Sequence, residues 1–163
     1  MIAVDTSVLL RYLLQDDEEQ AARAAKVFAA GETILVTDVV LAETVWTLSG
    51  RKYGLPKAQL VAVLERLFSE PSIRFEDDQV VWRALHAYRS DGATEATASP
   101  KRVGFADALI VFKALRTAAS DGELLDGVYT FDAAMQRLPH AAEPQERLSW
   151  PSVAKGDELN EPR

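Results

Sequence analysis

The sequence predicts an α/β fold with a mostly parallel central sheet flanked by helices, a three-layer α/β/α arrangement. Two observations predict it. Short apolar runs such as IAV (2–4) and TILVT (33–37) alternate with longer stretches of helical period. Helix start and stop residues fall between those segments, as with Asp17 and Gly31 around residues 17–30.

Taken in order, residues 2–4 form a strand that ends at Asp5, and 7–14 and 17–30 read as helices. Asp17 is placed to cap the second, with Gln20 three positions later. Strand 33–37 leads into a helix from Asp38 to Ser49. A basic turn, 50–55, precedes a helix opened by Pro56 and running to Ser69, proline taking the favoured first position. Strand 72–75 and helix 78–89 follow, the latter with Val81, Leu85 and Tyr88 on one stripe. Residues 91–102 are small and polar and read as a long loop. Helix 104–118, strand 127–131 and a short helix from Asp132 to Leu138 complete the pattern. One domain over residues 1–150 with a flexible tail at 151–163 is the expected organisation.

Composition restricts the chemistry. The 163 residues include no cysteine, which removes disulfides, thiolate metal sites and thiol nucleophiles. That suits a reducing cytoplasm. His86 and His140 are the only histidines, which leaves little material for a two-histidine metal motif or a histidine-driven triad. The first ten residues lack the basic stretch of a secretory signal, and no apolar run reaches the roughly 18 residues of a membrane span. Lys and Arg total 18 against 25 Asp and Glu, a net charge of −7, which disfavours a broad basic nucleic-acid face. Carboxylates are what remains for chemistry.

Four acids stand apart from the solvated ones. Asp5 and Asp132 end apolar strands. Glu43 lies in a helical pattern with Val39, Val40 and Trp46 at neighbouring spacings, and Asp107 shares a face with Ile110 and Val111. A lone carboxylate buried among apolar residues costs several kcal/mol unless paired, protonated or metal-bound. Simpler roles exist for some of them. Asp5 and Asp132 can cap the helices that follow, Asp107 can be a first-turn acid, and an ion pair with Arg11 or Lys113 is available. Parallel α/β sheets nonetheless bind ligands at the carboxyl ends of their strands, where Asp5 and Asp132 lie. Acids converging there call for a divalent cation, and oxygen ligands suit Mg²⁺ or Mn²⁺. Such a site is suited to phosphodiester hydrolysis.

Asp5-Thr6-Ser7 after the first strand, Glu43 after the second, Asp107 opening a DALI helix, and Thr130-Phe131-Asp132 occur here in an order that resembles the PIN-domain ribonucleases, specifically the VapC toxins of prokaryotic toxin–antitoxin pairs. The resemblance runs from Met1 to about Leu138. It implies a catalytic quartet of Asp5, Glu43, Asp107 and Asp132 that holds Mg²⁺ or Mn²⁺, with Thr6, Ser7 and Thr130 as supporting hydroxyls. It also implies an RNA substrate, a cognate antitoxin that covers the acidic site, and a homodimer. Residues 91–102 and 120–126 lengthen the family pattern without removing a motif residue.

Arg51 and Lys52 in one acid-free stretch, and Lys101, Arg102 and Lys113 in a second basic one, are candidate contacts for RNA phosphates; solvated surface charge is the plainer alternative. Two rival functions remain at this level. One is a metal- or partner-binding module that cleaves nothing. The other is an aspartyl-phosphate phosphatase, which the serine at position 7 disfavours, since a second aspartate is expected there.

Overall fold

The computed structural model describes residues 1–91 and 102–144. The remainder of the long connection, with Lys101, and the expected tail at 151–163 lie outside the described residues. The elements are β1 (Ile2–Ala3), α1 (Thr6–Leu14), α2 (Glu18–Ala29), β2 (Ile34–Val36), α3 (Asp38–Ser49), α4 (Lys57–Ser69), β3 (Ile73–Phe75), α5 (Asp78–Ser90), α6 (Phe105–Ser120), β4 (Val128–Tyr129), a 3-10 turn (Met135–Arg137) and β5 (Ala141–Ala142).

Strands β1, β2 and β3 form a parallel sheet with β2 in the middle, Ile2 opposite Ile34 and Ile34 opposite Ile73. Each parallel step needs a crossover, and a helix pair supplies it: α1 and α2, then α3 and α4. Helices cover the sheet in three α/β/α layers, with α5 packed extensively along α6. Ile34 and Val36 of the central strand are fully buried, together with Leu9, Leu41, Leu48, Val81 and Val111 from the surrounding helices. That set is the core, and it explains the near-continuous apolar character of residues 34–36.

Helix boundaries follow local chemistry. Asp17 caps α2, its carboxylate accepting from the Gln20 N–H at 2.9 Å, and Gly31 takes a positive φ of 78° just past the helix end. Gln20 does not close the box from its side chain; its Oε1 accepts from Arg11 instead. Pro56 sits one position earlier than expected, as the cap of α4. Among the apolar helix residues, Val45, Leu60, Leu64 and Leu67 belong to the core, while Leu10 and Leu13 are half-buried against it.

The C-terminal third departs most from expectation. Strand 127–131 shrinks to Val128–Tyr129 and pairs in parallel with β5, which the sequence pattern did not reveal. Among the described residues this pair is separate from the three-stranded sheet. The expected helix 132–138 is a single 3-10 turn. Ala141 and Ala142 carry no apolar alternation long enough to register as a strand; they pair in parallel with Val128 and Tyr129 after the chain crosses over through Met135–Arg137. No described helix is long and apolar enough to cross a membrane.

Candidate active site

Asp5 leaves β1 in an extended conformation and caps α1, its Oδ1 accepting from the Val8 N–H at 3.0 Å and from the Ser7 hydroxyl at 2.9 Å. The Val8 N–H, followed by the Ser7 hydroxyl, holds the Asp5 carboxyl below the usual carboxylate range. Thr6, the first residue of the helix, is buried and turns its hydroxyl toward α3, donating to Glu43 Oε2 at 2.5 Å. The short segment Asp5-Thr6-Ser7 therefore joins the end of β1 to the acid on the neighbouring helix.

Glu43 is not where the apolar pattern implied. Its face of α3 is open: Val39 is 74% and Trp46 75% exposed, and Glu43 is exposed between them. Glu43 therefore carries no burial cost that a metal or a partner would have to offset. Asp107 is half-buried, with Ile110 exposed and Val111 fully buried. As the third residue of α6 it hooks back to the helix entrance, Oδ2 accepting from the Gly104 N–H at 2.9 Å. Gly104 makes that possible, because a Cβ at this position would lie 2.9 Å from the same oxygen. Neither Arg11 nor Lys113 pairs with Asp107, Arg11 being engaged by Asp16 and Gln20.

Asp132 follows β4 and accepts from the Ala134 N–H at 2.8 Å, while its own N–H donates to Thr130 Oγ1 at 3.0 Å. The three hydroxyls singled out by sequence thus each touch a member of the quartet: Thr6 meets Glu43, Ser7 meets Asp5 and Thr130 meets Asp132. Capping and function do not compete at Asp5, Asp107 and Glu43. Val8 N–H and the Ser7 hydroxyl bond to Asp5 Oδ1, Gly104 N–H bonds to Asp107 Oδ2 and the Thr6 hydroxyl bonds to Glu43 Oε2, so each carboxylate is held by a named donor.

All four acids offer hard oxygen donors, the set that suits Mg²⁺ or Mn²⁺. No three acids or histidines among the described residues stand close enough together to enclose a metal by themselves. That is compatible with magnesium, which keeps several waters and is commonly held by one or two carboxylates plus substrate phosphate.

The basic candidates divide. Arg51 and Arg102 are exposed. Lys52 lies over the Tyr53 ring and 3.9 Å from Asp16. Lys113 is committed elsewhere, its ammonium 2.6 Å from both Asp38 Oδ2 and Glu76 Oε1. It is therefore not a free phosphate contact. Both acids raise its pKa, and it in turn lowers that of Glu76. Asp38 is the residue that sequence reading passed over. It opens α3 directly after β2 and is buried, and its carboxylate has no partner among the described residues besides Lys113, so the contact with that ammonium is what offsets its burial. The signal was an acid placed between an apolar strand and an apolar helix.

Two clefts flank these residues. One, about 310 Å³, lies between α1 and α2 and is lined by Ser7, Val8, Arg11, Gln20, Arg23 and Val27. The other, about 680 Å³ and largely apolar, runs between α3 and α6 past Val39, Ala42, Ile110 and Lys113.

No curated protein sequence matches the chain significantly. Among solved structures, VapC20 of Mycobacterium tuberculosis, described as a Sarcin-Ricin loop cleaving toxin, aligns over 83% of this chain and 93% of its own at 19% identity. Its TM-score of 0.37 is too low for the superposition to carry an argument. The sequence profile of the PIN domain, by contrast, matches residues 2–141, from β1 into β5, and the chain belongs to the PIN domain family.

Proposed function

We propose that this PIN domain is a metal-dependent endoribonuclease, the toxin of a toxin–antitoxin pair. One observation carries the reading. The carboxylates of Asp5, Glu43 and Asp107 are each fixed through one oxygen, by Val8 N–H, Thr6 hydroxyl and Gly104 N–H respectively. Acids that served only as caps would not need the Thr6 bridge between two helices.

Asp5 and Asp107 would hold Mg²⁺ or Mn²⁺, with Asp132 as a second or water-mediated ligand. When bound, the cation supplies Lewis acidity at the scissile phosphate and acidifies water for attack. Glu43, steadied by Thr6, orients the attacking water and accepts its proton. Thr130 holds the Asp132 backbone in place. Arg51, Lys52 and Arg102 are the phosphate contacts on either side of the cut, positions that set affinity without reading bases.

The toxin assignment rests on the motif order around Asp5, Glu43, Asp107 and Asp132. It implies an antitoxin that places a basic side chain against these acids. The expected homodimer would cover the exposed side chains of Val39, Trp46 and Ile110 on α3 and α6.

The test is cleavage of structured RNA by the purified chain with Mg²⁺ or Mn²⁺, with EDTA, and with Asp5→Asn alongside. Metal-dependent cleavage lost in the variant is the expected result. Cleavage that survives Asp5→Asn overturns the site. A protein that binds metal but leaves a panel of RNAs intact supports the non-cleaving module instead.

A further inference from the structure

We infer that Lys113 is a positioning residue for the carboxylate site, setting the register of α6 against α3 through its ion pair with buried Asp38. The inference rests on the reading of Asp107 and Glu43 as parts of one metal-dependent centre.

Lys113 lies six residues beyond Asp107 on α6, roughly 9 Å along the axis, and Asp38 lies five residues before Glu43 on α3, roughly 7.5 Å. Both helices are continuous between the paired residues and the proposed site residues, so a shift at the ion pair is transmitted along the axis. The Nζ of Lys113 also reaches Glu76, and Glu76 Oε2 accepts from the Asp38 N–H at 3.2 Å. One ammonium thus closes a junction of three elements: the start of α3, the end of β3 and the second half of α6. A second weld on the same helix, Arg116 Nε to Asp77 at 2.8 Å, is more exposed and screened by water.

Stability alone does not account for the arrangement. Burying Asp38 is costly, and a buried pair commonly does no better than well-packed apolar residues of the same volume. What an apolar pair would lose is direction. The Lys113–Asp38 contact at 2.6 Å fixes one helix relative to the other beside the open cleft that Val39, Ala42 and Ile110 line.

The experiment measures Mn²⁺ affinity by calorimetry and the thermal midpoint on the full chain for wild type, Lys113→Met, Lys113→Arg and the double variant Asp38→Asn/Lys113→Met. The single Met variant strands a buried charge and lowers the midpoint. The double variant removes both charges and regains most of the midpoint, yet its Mn²⁺ affinity stays about tenfold below wild type, the scale of loss for residues that orient ligands. Lys113→Arg retains both properties. Wild-type Mn²⁺ affinity in the double variant overturns the inference while leaving the site reading intact. A wild-type chain with no Mn²⁺ affinity overturns the two together.

Discussion

The hydroxyl of buried Thr6 donates to Glu43 across 37 residues of sequence at 2.5 Å, tying the first turn of α1 to the exposed face of α3. Asp5 immediately precedes Thr6 and caps the same helix. The position of one acid is thereby linked to that of the other through a single side chain. This makes Thr6 the place where the geometry can be perturbed without touching a carboxylate.

Thr6→Val keeps the shape and removes the donor. Because Glu43 is open to water, the lost bond costs only about 1 kcal/mol of stability. Cleavage of RNA falls far more than stability does, since Glu43 is no longer held, and Thr6→Ser restores it. Parallel urea unfolding and cleavage rates decide the matter: equal, small effects on both would reduce Thr6 to a packing residue.

Gly104 is the second lever. Its φ of −78° is ordinary, so alanine meets no backbone strain, but the new Cβ collides with Asp107 Oδ2 and displaces the carboxylate from the Gly104 N–H. A displacement approaching 1 Å at a reacting centre costs up to about a hundredfold in rate. The change at a helix cap costs under about 1 kcal/mol in stability. Gly104→Ala is therefore expected to unfold near the wild-type midpoint while losing most cleavage. Full activity in this variant would show that Asp107 works without its hook.

The readability of this chain varied with the range of the interactions involved. Asp17, Gly31 and the apolar run Ile34–Val36 announced α2 and the central strand, because capping, positive φ and full burial each leave a local mark. Motif order singled out Thr6, Ser7 and Thr130 beside Asp5, Glu43 and Asp132, and these are the hydroxyls found bonded to those three residues. Glu43 was misjudged because residues 38–49 are apolar nearly all round, so the period could not say which side faces out; Val39 and Trp46 prove to be the open side. Strand β5 and the Asp38–Lys113 pair were hidden for a common reason. Each depends on a partner distant in sequence, Val128–Tyr129 in one case and α6 in the other, and neither leaves a periodic trace.

The open apolar face of α3 and α6 carries the proposal of a homodimer to a test. Ile110 is 54% exposed, so Ile110→Asp changes monomer stability by no more than about 0.5 kcal/mol. In a dimer through this face, the same change buries an unpaired carboxylate and dissociates it. Sedimentation at micromolar concentration is expected to give a dimer for wild type and a monomer for the variant. A wild-type monomer, or a variant that remains dimeric, places the contact elsewhere or removes it.

The junction at Glu76 gives the chain a defined response to acid. Lys113, followed by the Asp38 N–H, holds the Glu76 carboxyl below its ordinary value of 4.5. A carboxyl depressed on folding binds fewer protons folded than unfolded, so its stabilisation is complete above the unfolded value and is lost as pH falls through the lower, folded one. Lys113 behaves in the opposite sense. Asp38 and Glu76 raise it above 10.5, so its contribution is complete below that value and is lost as pH rises through the folded one. Between roughly pH 5 and 10 both are present, and the stability difference between wild type and Glu76→Gln is flat. Below pH 4.5 that difference shrinks toward zero as Glu76 becomes protonated in both folded and unfolded chains. Denaturant unfolding of the two proteins at a series of pH values measures it directly. A difference that persists unchanged at pH 2 would mean that the Glu76 side chain stabilises the fold by packing, with its charge irrelevant.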